Sequence, residues 1–307
     1  MSAVDLLALC RVRGVSWYFI AREAQRPNGL ANLQNGTTSE HSTDAEVTLR
    51  VIAEAAPKME AHREWVATTI GQASAEGIRV TTVLDEDYPA NLRLVFNLPP
   101  FLFYRGELRH DDARAVAVVG TRNPSEDGIA RARRLSALLA QNGVTVLSGL
   151  ARGIDTAAHE ACIEAGGRTI AVLGTGIRRT YPPENRPLME RIAETGAVVS
   201  QFWPDSPPRT DTFPRRNIVT SGMGQGTVVI EASATSGAKM QARLAMEHGK
   251  RVFLLSTLVE QHQWTHRYVA RGAIVVHGVE DILRLLQSPE ALQARSDDRR
   301  QLSLALG

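Results

Sequence analysis

Short apolar runs alternate with helix-like stretches from residue 78 to residue 287 of this chain. Runs such as Ala115–Val119 and Thr169–Leu173 are apolar at almost every position. Such runs are typical of strands that are buried on both faces of a parallel sheet. Helices between consecutive strands cover both faces of a sheet of this kind. The pattern therefore predicts an α/β fold with a doubly wound, mostly parallel sheet.

The same periodicity places the individual elements. The predicted strands are Ile78–Leu84, Phe101–Arg105, Ala115–Val119, Val144–Ser148, Thr169–Leu173, Ala197–Ser200, Thr227–Glu231, Val252–Leu255 and Ala273–Val276. The predicted helices are Gly128–Gln141, Asp155–Glu164, Glu184–Glu194, Ser236–Glu247 and Val279–Gln287. Glycines suited to helix C-termini follow at Gly143, Gly166, Gly196, Gly249 and Gly272.

The pattern before residue 78 is different. Residues 1–72 have the apolar spacing of helices and predict a small helical N-terminal domain. Within it, the polar, glycine-containing segment Pro27–Asp44 is expected to be a loop. The sheet is assigned to a domain over residues 73–290, and residues 291–307 are expected to form a flexible tail.

The composition is that of an ordinary soluble protein. Of 307 residues, 43% are hydrophobic, and the net charge is only +2. No apolar run approaches the roughly 20 residues of a membrane span, and the N-terminus does not resemble a signal peptide. Cys10 and Cys162 form neither a disulfide framework nor a metal motif. We expect a cytoplasmic protein that needs no membrane, metal or cofactor.

Two loops that follow predicted strands combine glycine with arginine. One begins at Gly120, and the other lies in Ser148–His159, where Asp155 is expected to be a helix N-cap. The carboxyl ends of parallel strands meet at one edge of a sheet, so backbone N–H groups and guanidinium groups converge there. This arrangement predicts a phosphate-binding site. Its candidate residues are Gly120, Thr121, Arg122, Ser148, Gly149, Arg152, Gly153 and Gly174.

The segment after Gln201 mixes aromatic residues, prolines and arginines, and is expected to be a long loop. Aromatic rings between basic residues are typical of single-strand binders, in which the rings stack on bases and the guanidinium groups hold phosphates. Phe213 fits base stacking and plugging of the core equally well. The candidate residues of this segment are Phe213, Arg215, Arg216 and Asn217.

Other polar residues have a simpler interpretation. Asp155 and His159 are spaced for an acid/base pair, but a cap and a first-turn histidine are favoured because no nucleophile matches them. Asn185 is interpreted as a loop organiser, and His262 with His266 as surface histidines rather than metal ligands. Gly174-x-Gly176 is only half of a dinucleotide fingerprint.

Several of these motifs, in this order, resemble the DNA-processing protein A family (DprA, also called Smf). They are Gly120-Thr121-Arg122, Ser148–His159, Ala171–Gly174 with Tyr181-Pro182 and Asn185, Phe213-Pro214-x-Arg216-Asn217, Glu231-Ala232 and Ser236-Gly237-Ala238. The resemblance covers residues 78–255 most strongly.

The resemblance implies an extended Rossmann-like domain that binds single-stranded DNA and forms a homodimer. It also implies a RecA-type recombinase as partner during DNA uptake. Arg122, Arg152 and Phe213 match positions of the DNA-binding pocket in that family, and Arg216 and Asn217 belong to the same motif. Ser236 and Gly237 lie in another loop of the crevice, and Lys239 is added on its charge alone.

The chain departs from the family pattern after Leu255, where Ser256–Glu260 replaces a Pro-Gly turn, and a C-terminal winged-helix domain is not expected. A specialised paralogue with a cognate toxin or defence partner fits these differences. The alternative is a nucleotide sensor or nucleoside-phosphate hydrolase of related fold, because Gly222–Thr227 with Glu231 faintly resembles the glycine-rich loop of cytokinin-activating phosphoribohydrolases. In that alternative, the Glu231 carboxylate is either catalytic or orients arginines.

Overall fold

A computed structural model describes residues 3–233 and 235–305 of the chain. Within these residues, nine strands form one sheet in the order β1-β2-β6-β5-β4-β3-β7-β8-β9. The strands are β1 (Arg79–Thr82), β2 (Phe101–Gly106), β3 (Ala115–Val119), β4 (Thr145–Ser148), β5 (Thr169–Val172), β6 (Ala197–Ser200), β7 (Gly226–Val229), β8 (Arg251–Leu255) and β9 (Ile274–Val276).

The sheet is parallel except at one edge. β2 is antiparallel to both β1 and β6, and the six other pairs are parallel. β3 lies at the centre, with Val116 paired to Val146 of β4 on one side and to Gly226 of β7 on the other. Strands β4 to β6 are added on one side of β3, and β7 to β9 on its other side. This switch creates a crevice beyond the carboxyl ends of the strands. The predicted α/β, doubly wound and mostly parallel sheet is confirmed.

Helices cover both faces of the sheet, so β3 to β7 are buried throughout. The helices are α1 (Ala3–Arg11), α2 (Trp17–Ala24), α3 (Gly29–Gln34), α4 (Thr43–Ala55), α5 (Met59–Ala75), α6 (Ala90–Arg93), α7 (Glu126–Gln141), α8 (Ile154–Glu164), α9 (Arg186–Thr195), α10 (Thr212–Met223), α11 (Gly237–Glu247), α12 (Ser256–Gln261), α13 (Trp264–Val269), α14 (Val279–Leu283) and α15 (Pro289–Ala305). None of the helices in the described ranges is long and apolar enough to cross a membrane.

The N-terminal helices α1 to α5 pack against the antiparallel edge of the sheet. Aromatic rings join the two parts: the ring centroid of Trp203 lies 5.0 Å from that of Trp65 on α5 and 5.0 Å from that of Phe101 on β2. Two details differ from expectation. α3 interrupts the expected loop Pro27–Asp44, and α5 runs past residue 72 to Ala75. The division at residue 72 stays a prediction, since one apolar core includes residues from both sides of it.

The C-terminal segment is helical as far as residue 305, whereas a flexible tail was expected over residues 291–307. α15 packs against α6, and it buries Leu292 and Ser296. Arg299 donates from Nη1 to the backbone oxygen of Leu94 at 2.5 Å. The charged surface of this helix hides the few apolar positions that attach it, which is why its sequence resembles a frayed end.

Candidate nucleic-acid interface

A cavity of about 450 Å³ opens beyond the carboxyl ends of β3 and β4, where the first turns of α10 and α11 approach them. We call it the carboxyl-end pocket. Nine of the predicted site residues line it, which are Gly120, Thr121, Arg122, Gly149, Phe213, Arg216, Asn217, Ser236 and Gly237. The loops after β3 and β4 therefore converge as their positions in the sequence predict.

The loop between β4 and α8 is shaped by a buried carboxylate. Asp155 accepts hydrogen bonds from the backbone N–H groups of Gly149 at 3.1 Å and Ala151 at 3.4 Å. The predicted role of Asp155 as N-cap is wrong, because Gly153 occupies that position with φ +78°. Burial raises the pKa of Asp155, and the nearby charge of Arg216 opposes that rise.

Arg216 forms the floor of the pocket and is 8% exposed. Its Nη1 donates to the backbone oxygens of Gly149 at 2.6 Å and Val172 at 2.9 Å, and its Nε donates to Asn217 Oδ1 at 3.1 Å. A Cβ on Gly149 would lie 1.7 Å from Arg216 Nη1, so only glycine leaves room for the guanidinium. Burial lowers the pKa of Arg216. The side chain thus links β4, β5 and α10 and keeps a positive charge beneath the pocket.

Phe213 is the second residue of α10, whereas a loop was expected at this position. Its ring lies on Gly174, where a Cβ would come within 2.6 Å of Phe213 Cδ1. The ring centroid is 5.6 Å from that of Tyr181 and 5.6 Å from the guanidinium carbon of Arg122. The side chain is only half-buried and contributes to the pocket wall. Part of the ring is therefore exposed to the pocket, and base stacking by Phe213 stays a prediction.

Two arginines at the rim differ in their partners. Arg122 is exposed, and within residues 3–233 and 235–305 no carboxylate lies within ion-pair distance of it. Arg152 donates from Nε to Glu184 and is 64% exposed. It lines a smaller adjoining cavity of about 50 Å³, together with Tyr181 and Phe213. The charge of Arg122 therefore lies beside the Phe213 ring, whereas that of Arg152 is offset by Glu184.

Several predicted residues lie outside the pocket lining and act on its structure. Ser148 is buried and donates from Oγ to the backbone oxygen of Val118 at 2.7 Å, which ties β4 to β3. Gly153 allows close packing of the two loops, since a Cβ there would lie 2.6 Å from the backbone oxygen of Thr121. Gly174 supports the Phe213 ring. Their side-chain positions face protein, so any phosphate contact would have to come from their backbone N–H groups, and their role as phosphate ligands stays a prediction.

Two predicted cations also lie elsewhere. The guanidinium carbon of Arg215 lies 5.0 Å from the ring centroid of Trp17 and 5.2 Å from that of Phe202, on the side of α10 that faces the N-terminal helices. Lys239 Nζ lies 5.6 Å from the ring centroid of Trp264. Neither residue lines the carboxyl-end pocket. Lys239 was predicted from its charge alone and Arg215 from the pattern of aromatic and basic residues, and neither signal reports the direction of a helical side chain.

The competing polar residues have structural roles. Glu231 accepts from Ser125 N at 3.1 Å and Ser125 Oγ at 2.6 Å, so its carboxylate holds the start of α7 and orients no arginine. Asn185 donates to the backbone oxygen of Leu150 at 2.9 Å, as expected of a loop organiser. His159 is fully buried with Nδ1 2.6 Å from Thr169 Oγ1, and burial lowers its pKa to about 3.

Metal binding finds no support in the described parts of the chain. They contain no group of three or more His, Cys, Asp or Glu side chains placed to hold an ion. His262 follows α12 and His266 lies on α13, so they do not share a continuous helix. His266 is exposed and His262 is half-buried.

Two residues at the site were not among its predicted residues and have side chains that extend its surface. Tyr181 is 43% exposed and stands beside Phe213, so it extends the aromatic surface. Gln241 lines the pocket from α11, one turn after Gly237, and is 2% exposed. The spacing of four residues between Gly237 and Gln241 on one helix face is the signal that would have identified the second.

Comparisons with known proteins show which sequences and folds this chain resembles. A sequence profile of the family described as DNA recombination-mediator protein A matches residues 79–287. The chain is 39% identical over 208 residues to protein Smf of Synechocystis, which covers 66% of this chain and 52% of that protein. It is 37% identical over 204 residues to DNA processing protein DprA of Streptococcus pneumoniae, which covers 66% of this chain and 72% of that protein. The chain thus spans about half the length of the Synechocystis relative.

Solved structures show the same fold. DNA processing protein A from Streptococcus pneumoniae superposes with a TM-score of 0.76 at 28% identity, over 94% of this chain and 99% of that one. DNA processing protein A from Helicobacter pylori, described for its single-stranded DNA binding mode, superposes with a TM-score of 0.59 at 25% identity. That match covers 67% of this chain and 94% of the other. With its sheet order, its motifs and the profile match, this chain belongs to the DNA recombination-mediator protein A family, DprA/Smf.

Proposed function

We propose that the carboxyl-end pocket binds single-stranded DNA. The observation that carries this proposal is the half-buried ring of Phe213, which lies on Gly174 with the Arg122 guanidinium 5.6 Å from its centroid. The ring face suits a base, and the cations suit the adjacent phosphates. The cavity of about 450 Å³ is large enough for an unpaired nucleotide.

A single strand fits this arrangement better than a duplex. The Phe213 ring lies in a recess, so a base must leave its stack to reach it, and that costs least for a strand that is already unpaired. The cations contact phosphates, which every sequence shares, so weak base preference is expected. The Helicobacter pylori relative is described as binding single-stranded DNA, which supports the same ligand here.

We propose that the chain acts by binding and not by hydrolysis. The nucleotide-hydrolase alternative depended on Glu231, and that carboxylate is occupied by Ser125 at 2.6 Å. Asp155 is held by two backbone N–H groups. Both carboxylates thus take part in structural hydrogen bonds, which supports a binding protein over an enzyme.

The cellular role proposed here rests on family membership. We propose a cytoplasmic homodimer that takes part in DNA uptake and recombination by delivering a bound strand to a RecA-type recombinase. A cognate partner protein of another kind is the alternative, since the segment after Leu255 forms α12 in place of the turn typical of the family. Pull-down with a purified recombinase on oligothymidine distinguishes the two.

Fluorescence anisotropy tests the binding proposal. Labelled oligothymidine is titrated with the protein at low salt, beside a hairpin duplex of equal phosphate count. We expect clear preference for the single strand and no release of base or phosphate from nucleotides over the same period. Tighter binding to the duplex, or turnover of a nucleotide, would overturn the proposal.

A further inference from the structure

A second cavity lies at the other end of the strands from the carboxyl-end pocket. It encloses about 410 Å³ at the amino ends of β7 and β8 and is covered by α15. We call it the amino-end cavity. β8 has five residues, and a strand rises about 3.3 Å per residue. The two sites are therefore separated by the length of the strands. They do not share a lining residue.

The charges that line the amino-end cavity are strongly unbalanced. The basic side chains are Lys250, Arg251, Arg295 and Arg299, and the acidic one is Asp298. None of these five residues forms an ion pair with another described side chain. Elsewhere, many arginines form ion pairs with carboxylates, as Arg168 does with Asp112 at 2.6 Å. Four unpaired cations around one space attract an anion.

The lining cations are held in place by their own contacts. Arg295 donates from Nη1 to Gln287 Oε1 at 3.2 Å, and Arg299 donates to the backbone oxygen of Leu94 at 2.5 Å. They lie four residues apart on one face of α15, where like charges repel one another. Each guanidinium keeps further N–H groups for a ligand, because it has five in all.

Lys250 adds a partly desolvated ammonium to the same space. Its Nζ is 3.4 Å from the backbone oxygen of Asn91, which is a weak contact. Burial and the charge of Arg295 lower the pKa of Lys250 to about 8. His248 is neutral near pH 7, since burial lowers its pKa to about 4, and it is held by Asn97 Oδ1 at 2.8 Å. An anion among these groups would offset the repulsion that they now experience.

We propose that the amino-end cavity binds a phosphate-bearing small molecule of mononucleotide size, independently of the strand in the carboxyl-end pocket. The arginines suit phosphate because their forked donors bind its oxygens in pairs. The volume of about 410 Å³ exceeds that needed for a single ion and lies within the usual range of small-molecule pockets. This ligand would be additional to a DNA strand, and its binding would not depend on the strand.

Isothermal titration calorimetry of the full chain tests the site with four probes: inorganic phosphate, dTMP, uncharged thymidine and oligothymidine. The variants are Arg295→Gln and Arg251→Gln at the amino-end cavity, Arg122→Ala at the carboxyl-end pocket and Arg131→Gln as a matched control on α7. Arg295 is exposed on α15, so its replacement is compatible with folding, which circular dichroism checks.

We expect dTMP to bind and thymidine not to bind. The dTMP affinity should fall about tenfold or more in Arg295→Gln and Arg251→Gln, because each removes a charged hydrogen bond, and it should persist in Arg122→Ala and in Arg131→Gln. Oligothymidine affinity should be unchanged in Arg295→Gln. If phosphate and dTMP do not bind, or if only Arg122→Ala abolishes their binding, the proposal is wrong. If Arg295→Gln weakens oligothymidine alone, the cavity holds a DNA phosphodiester and a separate ligand is refuted.

Discussion

Arg122 and Phe213 give the carboxyl-end pocket two different kinds of surface, one charged and one aromatic. The guanidinium is exposed and has no carboxylate in ion-pair distance within the described ranges, so it is available to a phosphate. The ring is fixed by Gly174 and Tyr181. Substitutions at the two residues should therefore separate phosphate binding from base binding.

Replacing Arg122 with alanine should weaken binding to oligothymidine about tenfold or more. The reason is the loss of a charged hydrogen bond, which contributes roughly 1.5–3 kcal/mol. Because the side chain is exposed and unpaired, the melting temperature should not change. Anisotropy and circular dichroism measure the two quantities. Arg191→Ala, an exposed arginine of α9, is the control and should alter neither.

Replacing Phe213 with leucine should remove the ring face and keep much of the apolar bulk. A base stacked on an aromatic ring contributes roughly 1–3 kcal/mol. We expect weaker binding to oligothymidine and unchanged binding to an abasic strand of equal length, since the abasic strand retains the phosphates. Equal losses on both strands, or a large drop in melting temperature, would show that Phe213 acts through the fold.

Two neighbouring residues show that a sequence motif does not determine the direction of each side chain. Arg215 and Arg216 are adjacent in one motif, yet Arg216 lies beneath the pocket and Arg215 packs on Trp17. Successive residues of a helix point about 100° apart. The resemblance indicated that this motif binds DNA, but the direction of each side chain depends on where the helix begins, which is decided by its packing.

At the scale of elements, the central strands β3 to β7 were predictable because each is a mostly apolar run that is buried throughout. All nine strands occur within about two residues of their predicted bounds. The start of α10 was not predictable, because prolines before and within it resemble a loop. Pro214 is nevertheless tolerated as the third residue of the helix, where a backbone N–H has no helical partner.

The loop between β4 and α8 yields a prediction at this scale. Gly149→Ala places a Cβ where the Arg216 guanidinium lies, 1.7 Å from Nη1. The guanidinium must move, so its hydrogen bonds to β4 and β5 weaken and a buried charge loses partners. We expect the free energy of unfolding to fall by about 2–4 kcal/mol, measured by urea denaturation.

Strand affinity should fall in the same Gly149→Ala variant. In contrast to Arg122→Ala, stability and affinity therefore decline together. Gly71→Ala on α5 serves as a matched control outside the pocket, because an added Cβ there has no neighbour within 4 Å and the residue has no positive φ. A stable Gly149→Ala protein with normal binding would contradict the assigned role of Arg216.

At the scale of the whole molecule, the net charge of +2 is too small to bind DNA by itself. Binding should instead depend on the few cations around the carboxyl-end pocket. For single strands, the slope of log affinity against log salt is about −0.7 per neutralised phosphate. We expect Arg122→Ala to make that slope shallower by about 0.7, in titrations at several salt concentrations. An unchanged slope would mean that Arg122 does not contact a phosphate.

Stability should decline as the pH falls below about 6.5. Burial lowers the pKa of His159 from 6.5 to about 3, so the folded state keeps this ring neutral while the unfolded chain protonates it. The stability that it contributes is therefore present above pH 6.5 and is lost on acidification toward the folded pKa. One such group changes the free energy of unfolding by about 1.4 kcal/mol per pH unit.

Urea denaturation at pH 7.5 and pH 5.5 measures this dependence. His159→Gln cannot titrate, so its free energy of unfolding should vary less between the two pH values, even if it is lower at both. His248, whose pKa burial lowers to about 4, adds a similar dependence in both proteins. Equal pH dependence in wild type and His159→Gln would contradict the buried, neutral state of His159.

Gly149 and Gly174 each leave a hole that a side chain of α10 fills, Arg216 in the first and Phe213 in the second. α10 therefore packs into both loops at once. Neither loop can be exchanged for that of a relative unless the matching residue of α10 is exchanged with it. Protein engineers who wish to change the ligand of this pocket should therefore transplant the two loops and the first turns of α10 as a single cassette.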